Sequence, residues 1–262
     1  MSCNPFRNLG RIRVELRYFL ISLGYFTRIP IPAWLNYTNK RDLHHAMRYF
    51  SLVGMCIGVY SALIYLAALH VWSKSISIGI SIAVTLITTG ALHEDGLADS
   101  CDAFGGGYTR DEVLKIMNDS QIGTFGALAL IVIIGLKWQA LVLMPPIRGA
   151  LTLIAAHTCS RAMAKSFLIT LNYVRAEGKA KSVTHRMRTN IYVASTMYSM
   201  PCLFLSDWPT GLTSLVVLVI IRICLARYFF LRLGGYTGDC LGFAQQIGEL
   251  AIYLTSLAWT SF

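Results

Sequence analysis

Residues Thr89–Gly126 read TGALHEDGLADSCDAFGGGYTRDEVLKIMNDSQIGTFG. Seven of the chain's thirteen acidic residues fall inside this stretch, between Glu94 and Asp119. An apolar run precedes it, Ile76 to Leu92, and another follows it, Ala127 to Met144. An acidic, glycine-bearing insert between two runs of membrane-spanning character predicts an all-α polytopic membrane bundle. Its chemistry is placed at the edge of the bilayer.

The spacing within the insert narrows that chemistry. Asp95, Asp99 and Asp102 stand at i, i+4 and i+7, so a helix presents all three from one face, with Glu94 beside them. Bare carboxylates that close repel one another, and a bound divalent cation removes the repulsion. Oxygen donors with no cysteine and no paired histidine point to Mg²⁺. Held by a few carboxylates, Mg²⁺ usually also meets substrate phosphates. Glu94, Asp95, Asp99 and Asp102 are therefore the candidate catalytic and metal-holding residues. Gly105-Gly106-Gly107 follows, a flexible turn expected to leave backbone N–H groups open to an anion. The reading is Mg²⁺-assisted phosphoryl or nucleotidyl transfer at a membrane surface. A solvated acidic loop with helix-capping aspartates is the plainer alternative, and it requires neither the seven-residue face nor the glycine triplet.

Composition supports the membrane class. The 262 residues are 55% hydrophobic and 14% charged, with mean hydropathy +0.55; soluble domains carry about 25% charged residues. The net charge of +10 would suggest nucleic acid in a soluble protein. Here it must first be set against membrane topology, which accounts for most of it, so no nucleic acid partner is expected. The seven cysteines, at 3, 56, 101, 159, 202, 224 and 240, form no C-x-x-C pair. Neither a disulfide framework nor a zinc site is expected. The short apolar run Tyr18 to Phe26 lacks a small-residue cleavage site, so a cleaved leader is not expected.

One membrane domain covers 1–262. Residues 1–48 form a basic, amphipathic arm that reads as an interfacial helix, broken at the prolines of Phe26-Thr-Arg-Ile-Pro-Ile-Pro32. Seven apolar segments follow, at about 49–72, 76–92, 127–144, 149–171, 191–205, 212–231 and 249–262; the last is short for a full crossing. Alternating sides along them places the arm, the acidic loop 93–125, the basic loop 172–190 and the loop 232–248 together. Those four hold sixteen of the twenty-three Lys and Arg residues, and the opposite connections hold only Lys74 and Arg148. The positive-inside rule makes the motif side cytoplasmic.

The loop 232–248 carries a second motif, Gly234-Gly235-Tyr-Thr-Gly-Asp239. Its glycines permit close backbone approach. Thr237 and Gly238 are candidate substrate contacts, and Asp239 is a further metal or substrate ligand. A glycine-rich turn with Asp239 capping the next helix reads equally well from spacing. Other candidate substrate contacts are Arg28, His93, Asp119, Ser120 and Arg161. A guanidinium at membrane depth offers a planar fork for a diphosphate, whereas Lys165 and Arg227 suit snorkelling.

LHEDGLADSCDAFGGGYTRDEVLKIMNDSQIGTFGALAL resembles the signature of the cobalamin synthases, the adenosylcobinamide-GDP ribazoletransferases, and RLGGYTGDCLGFAQQIGEL is similar to their second signature. FTRIPIP and SRAMAKSF…YVRAEG extend the resemblance over nearly the whole chain, in order. The resemblance implies a bacterial-type inner-membrane enzyme that needs Mg²⁺. It would join α-ribazole 5′-phosphate, or α-ribazole, to adenosylcobinamide-GDP and release GMP. The carboxylates that match the signatures are Glu94, Asp95, Asp99, Asp102 and Asp239. Gln121 and Asn118 stand where the family pattern has Arg and Lys, which removes two cations near phosphate, and Phe243 replaces a small residue. Either Glu94 or Asp99 would serve as general base. A homo-oligomer or a complex with other cobamide-assembly enzymes stays open.

Three other classes share parts of this pattern. A CDP-alcohol phosphotransferase uses an Asp-rich helix and Mg²⁺, but its downstream Gly-x-x-x-Asp-x-x-x-Asp is absent here. A prenyltransferase with two Asp-rich motifs would reveal itself by an apolar substrate. An ion-coupled transporter would carry its carboxylates near the midplane in broken helices.

Overall fold

The computed structural model describes residues 5–32, 35, 40–175 and 186–260. Long apolar runs without water to bond their backbone can only satisfy it internally, and helices dominate accordingly. In chain order they are α1 (Pro5–Phe26), α2 (Lys40–Ala46), α3 (Phe50–Ala68), α4 (Lys74–Thr89), α5 (Leu92–Gly106), α6 (Arg110–Ile116), α7 (Thr124–Leu143), α8 (Pro146–Lys165), α9 (Phe167–Thr170), α10 (Thr189–Thr196), α11 (Ser199–Leu203), α12 (Trp208–Leu233) and α13 (Gly238–Ala258). Among the described residues there is no strand, only an isolated parallel bridge between Tyr173 and Tyr236.

Helix α8 is the axis of the bundle, buried almost throughout its second half. Helix α3 lies against it through Gly54 and Gly58, one turn apart. A methyl added at Gly54 would run into the His157 carbonyl and the Arg161 side chain, and one at Gly58 would come within 2.8 Å of the Ile154 Cα. Small residues at i and i+4 thus let two backbones touch, the usual route to tight helix pairing in a bilayer. Helix α13 covers another side of α8, with Gly248 against Met163 and Ser160. Outside this core, α7 and α12 turn Leu128, Ile131, Val132, Val216, Val219, Ile220 and Ile223 outward. Apolar faces of that extent belong in lipid.

The expected seven crossings are not reached by length and apolarity. Three helical stretches qualify, Asp42–Ala68, Thr124–Leu143 and Trp208–Leu233. Helices α4 and α5 qualify only jointly, across an 86° bend; we read α4 as the apolar arm and α5 as leaving the bilayer direction at that bend. Helices α8 and α13 are long enough, at 20 and 21 residues, but carry polar side chains into the bundle interior. The expected segment 191–205 is split into the short helices α10 and α11. The expected loop 232–248 is helical from Gly238 onward, because Thr237 starts α13 there and Gln245, Gln246 and Glu249 are buried against neighbouring helices. Much of the expected basic loop, 176–185, lies outside the described residues.

Candidate active site

The acidic motif is aimed by an elbow. Helix α4 ends at Gly90 (φ 65°), and Ala91 (φ 55°) is the one non-glycine residue with positive φ among those described. The Ala91 N–H reaches back to the Leu86 carbonyl at 2.9 Å, and Asp95 N–H bonds the Ala91 carbonyl at 2.8 Å, so one helix closes as the next opens. Two left-handed residues in succession turn the chain into α5. Arg28 braces the elbow: its N–H donates to the Thr88 carbonyl at 2.7 Å and its side chain crosses Gly90 while staying exposed.

Helix α5 meets the start of α13 through glycines. A methyl on Gly96 would lie 3.0 Å from the Asp239 carbonyl and 3.2 Å from the Gly242 Cα, and one on Gly242 would lie 3.0 Å from the His93 carbonyl. This approach brings Asp95 and Asp99 beside Asp239. Burial first, then the charges of Asp95 and Asp239, push the Asp99 carboxyl up to about 7. Thr237 caps α13, its hydroxyl accepting from Cys240 N–H at 3.3 Å. The expected capping alternative therefore falls to Thr237 and leaves Asp239 free to face the acidic helix. Arg175 completes the group with an ion pair to Asp239 Oδ2 at 2.7 Å and a hydrogen bond to the Met117 carbonyl at 2.8 Å. The Tyr173–Tyr236 bridge holds it there: Val174 N–H donates to Tyr236 O, and Tyr236 N–H to Asn172 O, both at 3.0 Å. Gly235 sits where a side chain would strike the Asn172 carbonyl. Asp95, Asp239, Arg175, His93 and Gly238 line a cavity of about 260 Å³ whose other walls are largely aromatic.

The remaining expected site residues go elsewhere. Asp102 is buried and occupied: Oδ2 accepts from Gly123 N–H at 2.7 Å and Oδ1 from Gly126 N–H at 2.8 Å, so it caps α7. Glu94 projects away from the aspartate face, and Gln246 Nε2 donates to its Oε1 at 2.8 Å. The Gly105–Gly107 triplet is no anion cradle. Gly105 and Gly106 belong to α5, Gly107 N–H bonds the Ala103 carbonyl at 2.9 Å, and Arg232 Nη2 approaches the carbonyls of Phe104 (3.2 Å) and Gly107 (2.5 Å). A helix C-terminus presents oxygens and attracts a cation. Gly105 and Gly107 are small because Phe125 and Val113 press on them. Asp119 and Ser120 are exposed after α6, with Asp119 Oδ1 accepting from Gln121 N–H at 3.1 Å. Arg161 is 1% exposed inside the bundle, bonded to the His157 carbonyl at 2.9 Å and lying over the Phe50 ring. Lys165 does not snorkel: its ammonium is buried on the Arg48 carbonyl and Ser195.

Arg175 and a buried polar network escape a spacing argument. Lys137 Nζ on α7 donates to Gln246 Oε1 at 2.6 Å and Glu249 Oε1 at 2.8 Å. Gln245 Nε2 donates to the other Glu249 oxygen at 2.5 Å, and His157 Nδ1 lies 3.2 Å from it. The network ends on Glu94, so a lone lysine in an apolar run and a glutamate in the last helix are the sequence signals that could have marked it.

Among the described residues no group of three or more His, Cys, Asp or Glu side chains makes a ready cage for a metal. Asp95, Asp99 and Asp239 still suit Mg²⁺ as a donor set. They offer oxygen only, burial and crowding penalise the ionised state of Asp99, and Mg²⁺ keeps most of its waters and relies on substrate phosphates.

The family model described as cobalamin-5-phosphate synthase matches residues 18–257. The chain is 47% identical over 257 residues to the adenosylcobinamide-GDP ribazoletransferase of Ralstonia pickettii, covering 97% of this chain and 100% of that one. It is 45% identical over 258 residues to the protein of that name from Ralstonia nicotianae, covering 97% and 99%. The corresponding Shewanella piezotolerans protein is 43% identical over 250 residues, covering 94% and 96%. No solved structure matches.

Proposed function

The chain belongs to the cobalamin-5-phosphate synthase family, and from that premise we propose that it joins α-ribazole 5′-phosphate to adenosylcobinamide-GDP with release of GMP. It is a transferase of late cobalamin biosynthesis. The observation that carries the assignment of its site is the meeting of Asp95 on α5 with Asp239 and Arg175 around one cavity, with Asp99 close beside the two carboxylates.

In this reading a ribose hydroxyl of the ribazole attacks the corrinoid-side phosphorus, the bond to GMP breaks, and GMP leaves with the bridging oxygen. The hydroxyl proton passes to a carboxylate. Of the two expected bases, Glu94 is tied to Gln246, which leaves Asp99, half-buried beside Asp95 and Asp239. Asp95 and Asp239 would hold Mg²⁺, which supplies positive charge to the diphosphate and to the departing GMP. Arg175 adds a fixed cation beside Asp239, and exposed Arg28 at the elbow stands ready for a further phosphate oxygen. The site faces the cytoplasm of a bacterial-type inner membrane, in keeping with the basic residues gathered on the motif side.

The test is turnover by the purified chain in lipid with both substrates, with and without Mg²⁺. Mg²⁺-dependent GMP release together with a cobalamin product is the expected result. Asp95→Asn and Asp99→Asn are expected to insert normally and to abolish transfer. Near-normal turnover by either variant would remove the proposed site.

A further inference from the structure

The cavity beside the carboxylates is lined by two kinds of group. One is charged, Asp95, Asp239 and Arg175. The other is aromatic, Phe26, Phe50, His93, Tyr25 and Tyr173. Three of the rings pack on one another into one wall: Phe26 and Phe50 centroids are 4.3 Å apart at 33°, Phe50 and His93 5.5 Å apart, and Phe26 and His93 6.4 Å apart at 29°. His93 is 5% exposed, and its Nε2 has no hydrogen-bond partner among the described residues; the Tyr173 hydroxyl is likewise buried and unpartnered.

We infer that these aromatic walls seat the base of the ribazole substrate, a flat, largely apolar benzimidazole-type ring, with its ribose directed at Asp95 and Asp239. The inference rests on the transferase reading above and adds which substrate enters, and by which part. Size argues first. A cavity of about 260 Å³ lies just below the roughly 300–1,000 Å³ of sites for drug-sized ligands. It admits a nucleoside base with its sugar and excludes a corrinoid. Two bases then compete, the benzimidazole and the guanine of the other substrate. Guanine presents several donors and acceptors along its edges, and each needs a partner once water is gone. No Asn, Gln, Ser or Thr is among the residues lining the cavity, and its two carboxylates are the ones assigned above to Mg²⁺. A benzimidazole nucleoside has one free ring nitrogen, an acceptor, and its remaining surface is apolar. Aromatic walls satisfy the ring faces by stacking. His93 Nε2 and the Tyr173 hydroxyl are polar atoms of these aromatic walls without a partner among the described residues, and either donates to that nitrogen after a small side-chain adjustment.

Leu92 lines the same cavity at its rim and is 41% exposed, so enlarging it does not disturb the core. The experiment compares the wild-type chain, Leu92→Trp and Phe50→Leu, which keeps an apolar side chain but removes the ring, in lipid nanodiscs. It measures equilibrium binding of α-ribazole and of GMP, and the KM for each substrate. Leu92→Trp is expected to weaken α-ribazole binding and raise its KM at least tenfold; Phe50→Leu does so several-fold, and the KM for adenosylcobinamide-GDP stays put in both. A rise confined to the GDP substrate assigns the cavity to guanine and overturns the inference. Unchanged constants for both substrates in both variants overturn it as well. Wild-type protein that binds α-ribazole, loses it in Leu92→Trp and yet makes no product would sink the transferase reading while leaving the base site standing.

Discussion

At the scale of single residues, one helix turns its four carboxylates to three purposes. Asp95 and Asp99 face Asp239, Asp102 accepts two backbone N–H groups at the start of α7, and Glu94 joins the interior network. A spacing of i, i+4, i+7 correctly groups the aspartates on a face, but that face is shared between a cavity and a neighbouring helix end, and spacing cannot say where one gives way to the other. The division is measurable. Asp102→Ala strips two N–H groups of an ionised acceptor, and hydrogen bonds to charged groups are worth about 1.5–3 kcal/mol each. A melting temperature several degrees lower is expected, with the Mg²⁺ concentration for half-maximal rate unchanged in the surviving protein. Asp95→Glu is expected to behave the opposite way, melting like wild type and needing several-fold more Mg²⁺. A shifted Mg²⁺ requirement in Asp102→Ala would return that residue to the metal site.

At the scale of elements, the site exists because α5 and α13 touch at Gly96 and Gly242. Their positions in the apolar-run pattern gave α4 and α7 to within a few residues, since those helices meet lipid and show it in composition. The apolar pattern alone starts α13 near 249 because the helix's first half is polar and glycine-rich. Those side chains are nonetheless helical and buried, paired with partners far along the chain; Gln246 and Glu94 are 152 residues apart. Arg175 was hidden for the same reason, being placed by a single bridge to Tyr236 rather than by a local pattern. The glycine contact makes its own prediction. In Gly96→Ala the new methyl meets backbone atoms that cannot rotate away, so α5 must back off α13. Displacements approaching 1 Å in a site cost up to about 10²-fold in rate, and kcat is expected to fall at least tenfold. Gly135→Ala in α7, where nothing lies within 4 Å, is expected to leave kcat within twofold. Equal rates in the two variants would show that the helix approach does not set the geometry.

At the scale of the whole molecule, the bundle has an apolar exterior and a charged interior. Lys137, Glu249, His157, Gln245, Gln246 and Glu94 tie α5, α7, α8 and α13 together. In a soluble core such a network competes with water for its own groups. In lipid the alternative for Lys137 is an uncompensated ammonium among hydrocarbon, and the same is true of Glu249. Removing one partner of a buried pair costs about 3–5 kcal/mol because the other charge is stranded, whereas removing both can be nearly neutral. Lys137→Met is therefore expected to destabilise the protein severely, and Lys137→Met with Glu249→Gln to recover most of the loss. Thermal unfolding in detergent across this double-mutant cycle measures the coupling. The network also reaches Glu94, one residue from Asp95, so the pair ties the alignment of α5 to the packing of the membrane helices. The double variant, stable but without its ionic tie, is then expected to keep its fold and lose part of its kcat. Full stability with full activity would mean that the network holds the helices together and contributes nothing to the aim of α5.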